Sequence, residues 1–111
     1  MTSFILQSIL LANLFSPNIP VFDITEQLEL LSQCESSGRQ YAINSKEIHG
    51  SSYGILQFRL ETFNHFGKRY GLPHTDIFSK EQQFAIAKAM IEDGRGNHWA
   101  CWRKLGLERF E

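Results

Sequence analysis

Residues 34–58, Cys34 to Phe58, read CESSGRQYAINSKEIHGSSYGILQF. This stretch joins two kinds of chain, and the change between them decides the fold. Upstream of it the pattern is helical from about Ile24 to Ser36. Asp23 can cap that helix, and Glu26 three residues on completes a capping box. Leu28, Leu31 and Glu35 fall at i, i+3 and i+7, on one face. Gly38 ends the helix. Downstream, from Gly38 to Phe58, the chain is rich in Gly, Ser and Asn. The run His49-Gly50-Ser51-Ser52-Tyr53-Gly54 predicts a loop or a small hairpin, not helix.

Beyond Phe58 the helical pattern returns. Leu60–Tyr70 carries Leu60, Phe63, Phe66 or Gly67, and Tyr70 along one side, and Gly71 and Pro73 stop it. A third helix starts after Ser79, with Gln82 completing a second capping box. Its apolar face is Phe84, Ala87, Met90 and Ile91, and Gly94 stops it. A short fourth helix follows Asn97 with Trp99, Trp102 and Leu105, and Gly106 ends it. The expected class is mainly α: about four helices framing one glycine-rich crossing. Functional groups tend to sit on such a loop, held by a rigid frame.

The chain has 111 residues, of which 42% are apolar and 21% charged. That fits one globular domain able to bury a core. Net charge is −1 and the isoelectric point about 6.4, which argues against a dedicated nucleic-acid binder. Residues 39–111 hold eleven bases against eight acids. That body is mildly cationic, within ordinary scatter.

Residues 4–15 are mostly apolar but too short to span a bilayer. No Lys or Arg precedes them and no A-x-A site follows. Three readings stay open: a cleaved export signal, a packed or interfacial helix, or an unrelated leader. Pro17 and Pro20 mark a linker, so residues 1–22 divide from a domain at 23–111. Cys34 and Cys101 form no C-x-x-C pair, which excludes a zinc ribbon. They are two buried thiols in a reducing compartment or one disulfide in an oxidising one. His49, His65, His74 and His98 lack metal-ligand spacing, so neither metal nor cofactor is expected.

Glu35 stands out. The C-terminal end of a helix dipole disfavours negative charge, and apolar neighbours disfavour the ionised form. Both effects favour the protonated carboxyl that a general acid needs. The bland alternative is a surface glutamate at a frayed helix end, paired with Arg39 at i+4.

The residues around Glu35 change that weighing. Cys34-Glu35-Ser36-Ser37-Gly38, Ala42-Ile43-Asn44 and Tyr53-Gly54-Ile55-Leu56-Gln57-Phe58 occur in order. The set resembles the lysozyme-like lytic transglycosylases, with a Glu-Ser at a helix end and a Gly-(Leu/Ile)-x-Gln segment about twenty residues later. It is closer still to the transglycosylase-like domain of resuscitation-promoting factors. The counterparts of that domain's motifs are Cys34–Gly38, Gly54–Phe58, Gln83–Ala87 and Trp99–Cys101. The resemblance covers about residues 24–106. Three features depart from the pattern. Ser37 stands where Gly is common, the Tyr-Asn-Ala-Gly segment of classical lytic enzymes is absent, and the C-terminal Cys–Trp order is shifted.

The resemblance implies an α+β lysozyme-like fold and a secreted or envelope-located monomer that cleaves peptidoglycan glycan strands. It makes Glu35 the sole acid/base. Gln57 becomes a groove residue whose amide suits hydrogen bonding to acetamide or hydroxyl groups. Tyr53 is a candidate for sugar binding or for a hydrogen bond to Glu35, or else a packed loop aromatic. Ser36, a helix-end backbone partner, is also a candidate for substrate binding. Trp99 or Trp102 can stack on a sugar ring, though core packing is the default for tryptophan. The resemblance also implies a Cys34–Cys101 bridge. Glu47 is the candidate second carboxylate of a hydrolytic rival; its plainer role is a solvated charge beside Lys46. A wall-binding module without turnover is the rival from another class.

Overall fold

In the computed structural model, which describes residues 23–45 and 50–110, helix α1 spans Ile24–Ser36. Both ends of α1 follow from local chemistry. Asp23 Oδ1 accepts from the Glu26 N–H at 2.9 Å, and Glu26 Oε1 accepts from the Asp23 N–H at 3.2 Å. That closed capping box stabilises the helix by about 1 kcal/mol. The C-cap is Ser37, in the left-handed region at φ 57°. The helix therefore stops one residue before Gly38, whose φ of 73° continues the reversal. The N-terminal expectations for residues 1–22, and those for Lys46, Glu47 and His49, lie outside the described residues.

The crossing is the small hairpin the glycines predict. Strand β1 (Ile43–Asn44) pairs antiparallel with β2 (Ser52–Tyr53), Ile43 opposite Tyr53 and Asn44 opposite Ser52. Tyr53 then bridges to Phe58, which closes the turn Gly54–Gln57. Helix α2 spans Leu60–Tyr70 and α3 spans Lys80–Glu92. A 3-10 turn at Gly96–His98 leads into the short α4, Ala100–Lys104, and a second at Leu107–Phe110 follows it.

Helix α2 packs on α3, and α1 packs on both α3 and α4. Leu31, Leu56, Phe63, Ile86, Met90 and Trp102 are fully buried where they meet. Burying each such side chain contributes about 2 kcal/mol. Among the described residues the fold is mainly helical with one two-stranded sheet, as expected for the α+β lysozyme-like class. Among the described residues, no helix is long and apolar enough to cross a membrane.

Four details differ from the sequence expectation. Ser79 caps α3 by accepting from the Gln82 N–H, but the Gln82 side chain does not close the box. Its Oε1 accepts instead from the Thr75 and Asp76 N–H groups, fixing the α2–α3 connection. Trp99 precedes α4 as its cap residue, so the fourth helix is shorter than its pattern suggests. Leu60 is half exposed despite its spacing, because it sits in the first turn of α2. Leu105 is also exposed, and Leu107 in the following 3-10 turn takes the buried place.

Candidate active site

Glu35 is half-buried in the last turn of α1, and both its neighbours in the chain are anchored. Cys34 forms a disulfide with Cys101 in α4. The buried Ser36 hydroxyl donates to the Ile55 carbonyl at 2.8 Å and accepts from the Arg39 N–H at 3.0 Å. Arg39 Nε donates to the Ser36 carbonyl at 2.8 Å, satisfying one of the orphan acceptors of the helix end. Ser36 is thus a structural tie between α1 and the loop, with its side chain turned into the protein.

The loop that faces Glu35 is held from two further directions, by Gln83 of α3 and by Trp99. The Leu56 N–H donates to Gln83 Oε1 at 2.8 Å. Gln83 Nε2 donates to the carbonyls of Tyr53 and Ile77. Trp99 Nε1 donates to the Leu56 carbonyl at 2.9 Å. Gln83 is fully buried, and its amide contacts explain Gly54. A Cβ at position 54 would collide with the Gln83 amide, and its φ is +81°. Gln57 is left-handed at φ 55°, unusual for a residue with a side chain. Its Nε2 donates to the carbonyls of Gly54 (3.0 Å) and Ala42 (3.3 Å), a local return for the cost of that conformation.

Two cavities meet at this place. One, of about 250 Å³, is walled by Phe58, Arg59, Thr62, His98 and Trp99. The other, of about 300 Å³, is walled by Arg39, Ala42 and the β1 residues Ile43 and Asn44. Glu35 and Gln57 line both. The two form a groove with the carboxyl and the amide at its waist.

The residues singled out from sequence divide accordingly. Glu35, Gln57 and Trp99 come together on the groove. Trp99 is mostly buried, and its ring packs edge-on against Phe58 at 5.5 Å. Trp102 is wholly in the core. Tyr53 lines neither cavity; its ring meets Phe78 edge-on at 6.0 Å. Arg59, Thr62 and His98 also line the first cavity, and no motif in the sequence assigns them to it. The one signal for Arg59 was its place directly before a helix, where Ser, Thr, Asp or Asn is usual. His98 packs on Phe66 and Trp99. Partial burial, then the charges of Arg95 and Arg59, hold its pKa below the ordinary histidine value. Among the described residues, no three or more His, Cys, Asp or Glu side chains are grouped to hold a metal ion.

A half-buried carboxyl lining two polar cavities, beside an amide held by its loop, is placed where it could exchange a proton with a bound group. A family model described as a transglycosylase-like domain matches residues 23–102, well over half of the chain. Nothing matches among curated proteins or among solved structures.

Proposed function

The chain belongs to the transglycosylase-like domain family, a membership that points to a glycosidase-type enzyme, and we propose that it is a lytic transglycosylase of peptidoglycan. The observation that carries the reading is the meeting of two cavities at Glu35 and Gln57. A glycan strand cleaved in its interior needs room on both sides of the scissile bond, with the acid between.

In this reading Glu35 protonates the oxygen linking N-acetylmuramic acid to N-acetylglucosamine. The 2-acetamido group supports the oxocarbenium-like centre as that bond breaks. The resulting Glu35 carboxylate takes the proton from the C6 hydroxyl. The C6 oxygen then closes on C1, giving a 1,6-anhydro sugar and returning Glu35 to its acid form. The cycle needs one carboxyl where a conventional glycosidase uses two. The Gln57 Oε1, on an amide whose nitrogen is held by the loop, is available to orient an acetamide N–H or a hydroxyl. The domain would act as a monomer outside the cytoplasm, where the Cys34–Cys101 bridge persists.

The test is digestion of purified peptidoglycan by the wild type and by Glu35→Gln, with mass spectrometry of the released fragments. Products one water lighter than hydrolytic ones, absent with Glu35→Gln, are expected. Reducing-end products would make the enzyme a muramidase and turn attention to Glu47. Binding without any product from the wild type would make the domain a wall-binding module.

A further inference from the structure

The cavity between Glu35 and Trp99 carries two residues that the acid/base chemistry does not use, Arg59 and His98. We propose that they make this half of the groove a recognition site for carboxylate groups borne by the glycan. The inference rests on the peptidoglycan reading above and adds a specificity to it.

Arg59 is in an expensive place. It occupies the N-cap of α2, and its side chain makes no capping hydrogen bond. A cation there opposes the positive end of the helix dipole, and a short oxygen-bearing side chain would be the stabilising choice. Its Nε is nonetheless shielded from solvent, so the guanidinium stem is set into the groove wall. A residue that breaks a local rule while lining a cavity is a candidate for function. A guanidinium is also the side chain best matched to a carboxylate, through its planar fork.

His98 supplies the second contact. Its ring is braced between Phe66, 5.4 Å away, and Trp99, 6.3 Å away. It feels the charge of Arg59, so the two share one electrostatic environment. Its imidazole offers a ring N–H as a donor, and Arg59 supplies the charge. Glu35 is the one acid lining this cavity among the described residues. While it is protonated for its acid step, the cavity has no anion to repel a ligand carboxylate. Two parts of the substrate bear such a group: the lactyl ether of muramic acid where the peptide has been removed, and the stem peptide where it remains.

The experiment uses the full chain with its disulfide intact, in the Glu35→Gln form so that nothing turns over. Calorimetry compares three soluble glycans of one length: peptide-bearing, peptide-free with lactyl carboxylates open, and peptide-free with those carboxylates capped as methylamides. The capped strand is expected to bind about tenfold more weakly than the better of the other two, the size of one charge-assisted hydrogen bond. Whichever acid-bearing strand binds best identifies the source of the carboxylate. Adding Arg59→Gln should remove the difference by weakening that strand and leaving the capped one unchanged. His98→Gln should reduce it by a smaller factor. Equal binding of all three glycans to the parent chain overturns the proposal. So does an Arg59→Gln that weakens all three alike, which is the mark of a merely structural role. Should Arg59→Gln fail to fold, Arg59→Lys keeps the charge and should keep the discrimination; a lysine variant that binds all three glycans equally counts against it. Failure of the wild type to cleave any glycan would sink the transglycosylase reading and leave the binding comparison standing.

Discussion

On one side of Glu35 the groove is walled by Phe58 and Trp99, 2% and 6% exposed; on the other it is walled by Ile43, 60% exposed, and its neighbours in β1. The first wall is the outer surface of the core. Folding fixes it, because the loop Tyr53–Phe58 behind it is tied to α1 by Ser36, to α3 by Gln83 and to the C-terminal segment by Trp99. The second wall is a two-residue strand with both side chains in solvent. The comparison teaches where substitutions should register. Changes behind the first wall should appear in stability and in turnover together. Changes in the second should appear in substrate binding alone.

The largest expected effect comes from removing the bridge that ties the Glu35 end of α1 to α4. Cys34→Ser with Cys101→Ser opens a loop of 67 residues' separation. On the chain-entropy model this costs roughly 4 kcal/mol, read by urea denaturation. A loss below about 1 kcal/mol would mean that hydrogen bonds alone hold the first wall, and that the covalent tie is incidental.

Next is Gln83→Ala. It strips partners from the Leu56 N–H and from the Tyr53 and Ile77 carbonyls, all around one buried amide. Leaving such groups unpaired costs about 1–3 kcal/mol apiece, less whatever water restores. A net loss of about 3 kcal/mol is expected, with a fall in kcat on purified glycan as the Gln57 loop loosens. Full stability with normal kcat would show that the loop is held without Gln83. A smaller effect is expected from Trp99→Phe, which keeps much of the packing on Phe58 but removes the donor to the Leu56 carbonyl. About 1–2 kcal/mol should be lost. No loss would remove the Trp99 hydrogen bond from the account of the first wall.

The same contrast explains what was legible in the sequence. The extents of helices α1 and α2 could be read closely, because caps and apolar spacing act locally: Asp23 with Glu26 at one end, Gly71 at another. Glu35 and Gln57 could be named as candidates because a motif fixes their order in the chain, and the fold brings both onto the same two cavities. The role of Gln83 could not, because its three partners lie 6 to 30 residues away and only the tertiary fold gathers them. Gln82 misled for the same reason. Its local option, the capping box, lost to two backbone donors across a turn. Arg59 and His98 belong to no motif and become neighbours only when α2 and the segment before α4 flank one cavity.

The smallest expected change in stability tests the second wall. Ile43→Ala removes a side chain that is mostly in solvent and that pairs across the sheet with Tyr53. Surface substitutions of this kind stay within about 0.5 kcal/mol. The side chain nevertheless lines the cavity on the Arg39 side of Glu35. An apolar group so placed can cover the apolar face of a sugar ring, and its loss should raise KM several-fold with kcat nearly unchanged. That split follows because the contact is made equally by bound substrate and by the transition state. A fall in kcat without a change in KM would mean that β1 takes part in positioning Glu35 or Gln57. The distinction between a wall made by the core and a wall made for the ligand would then fail at its weaker end.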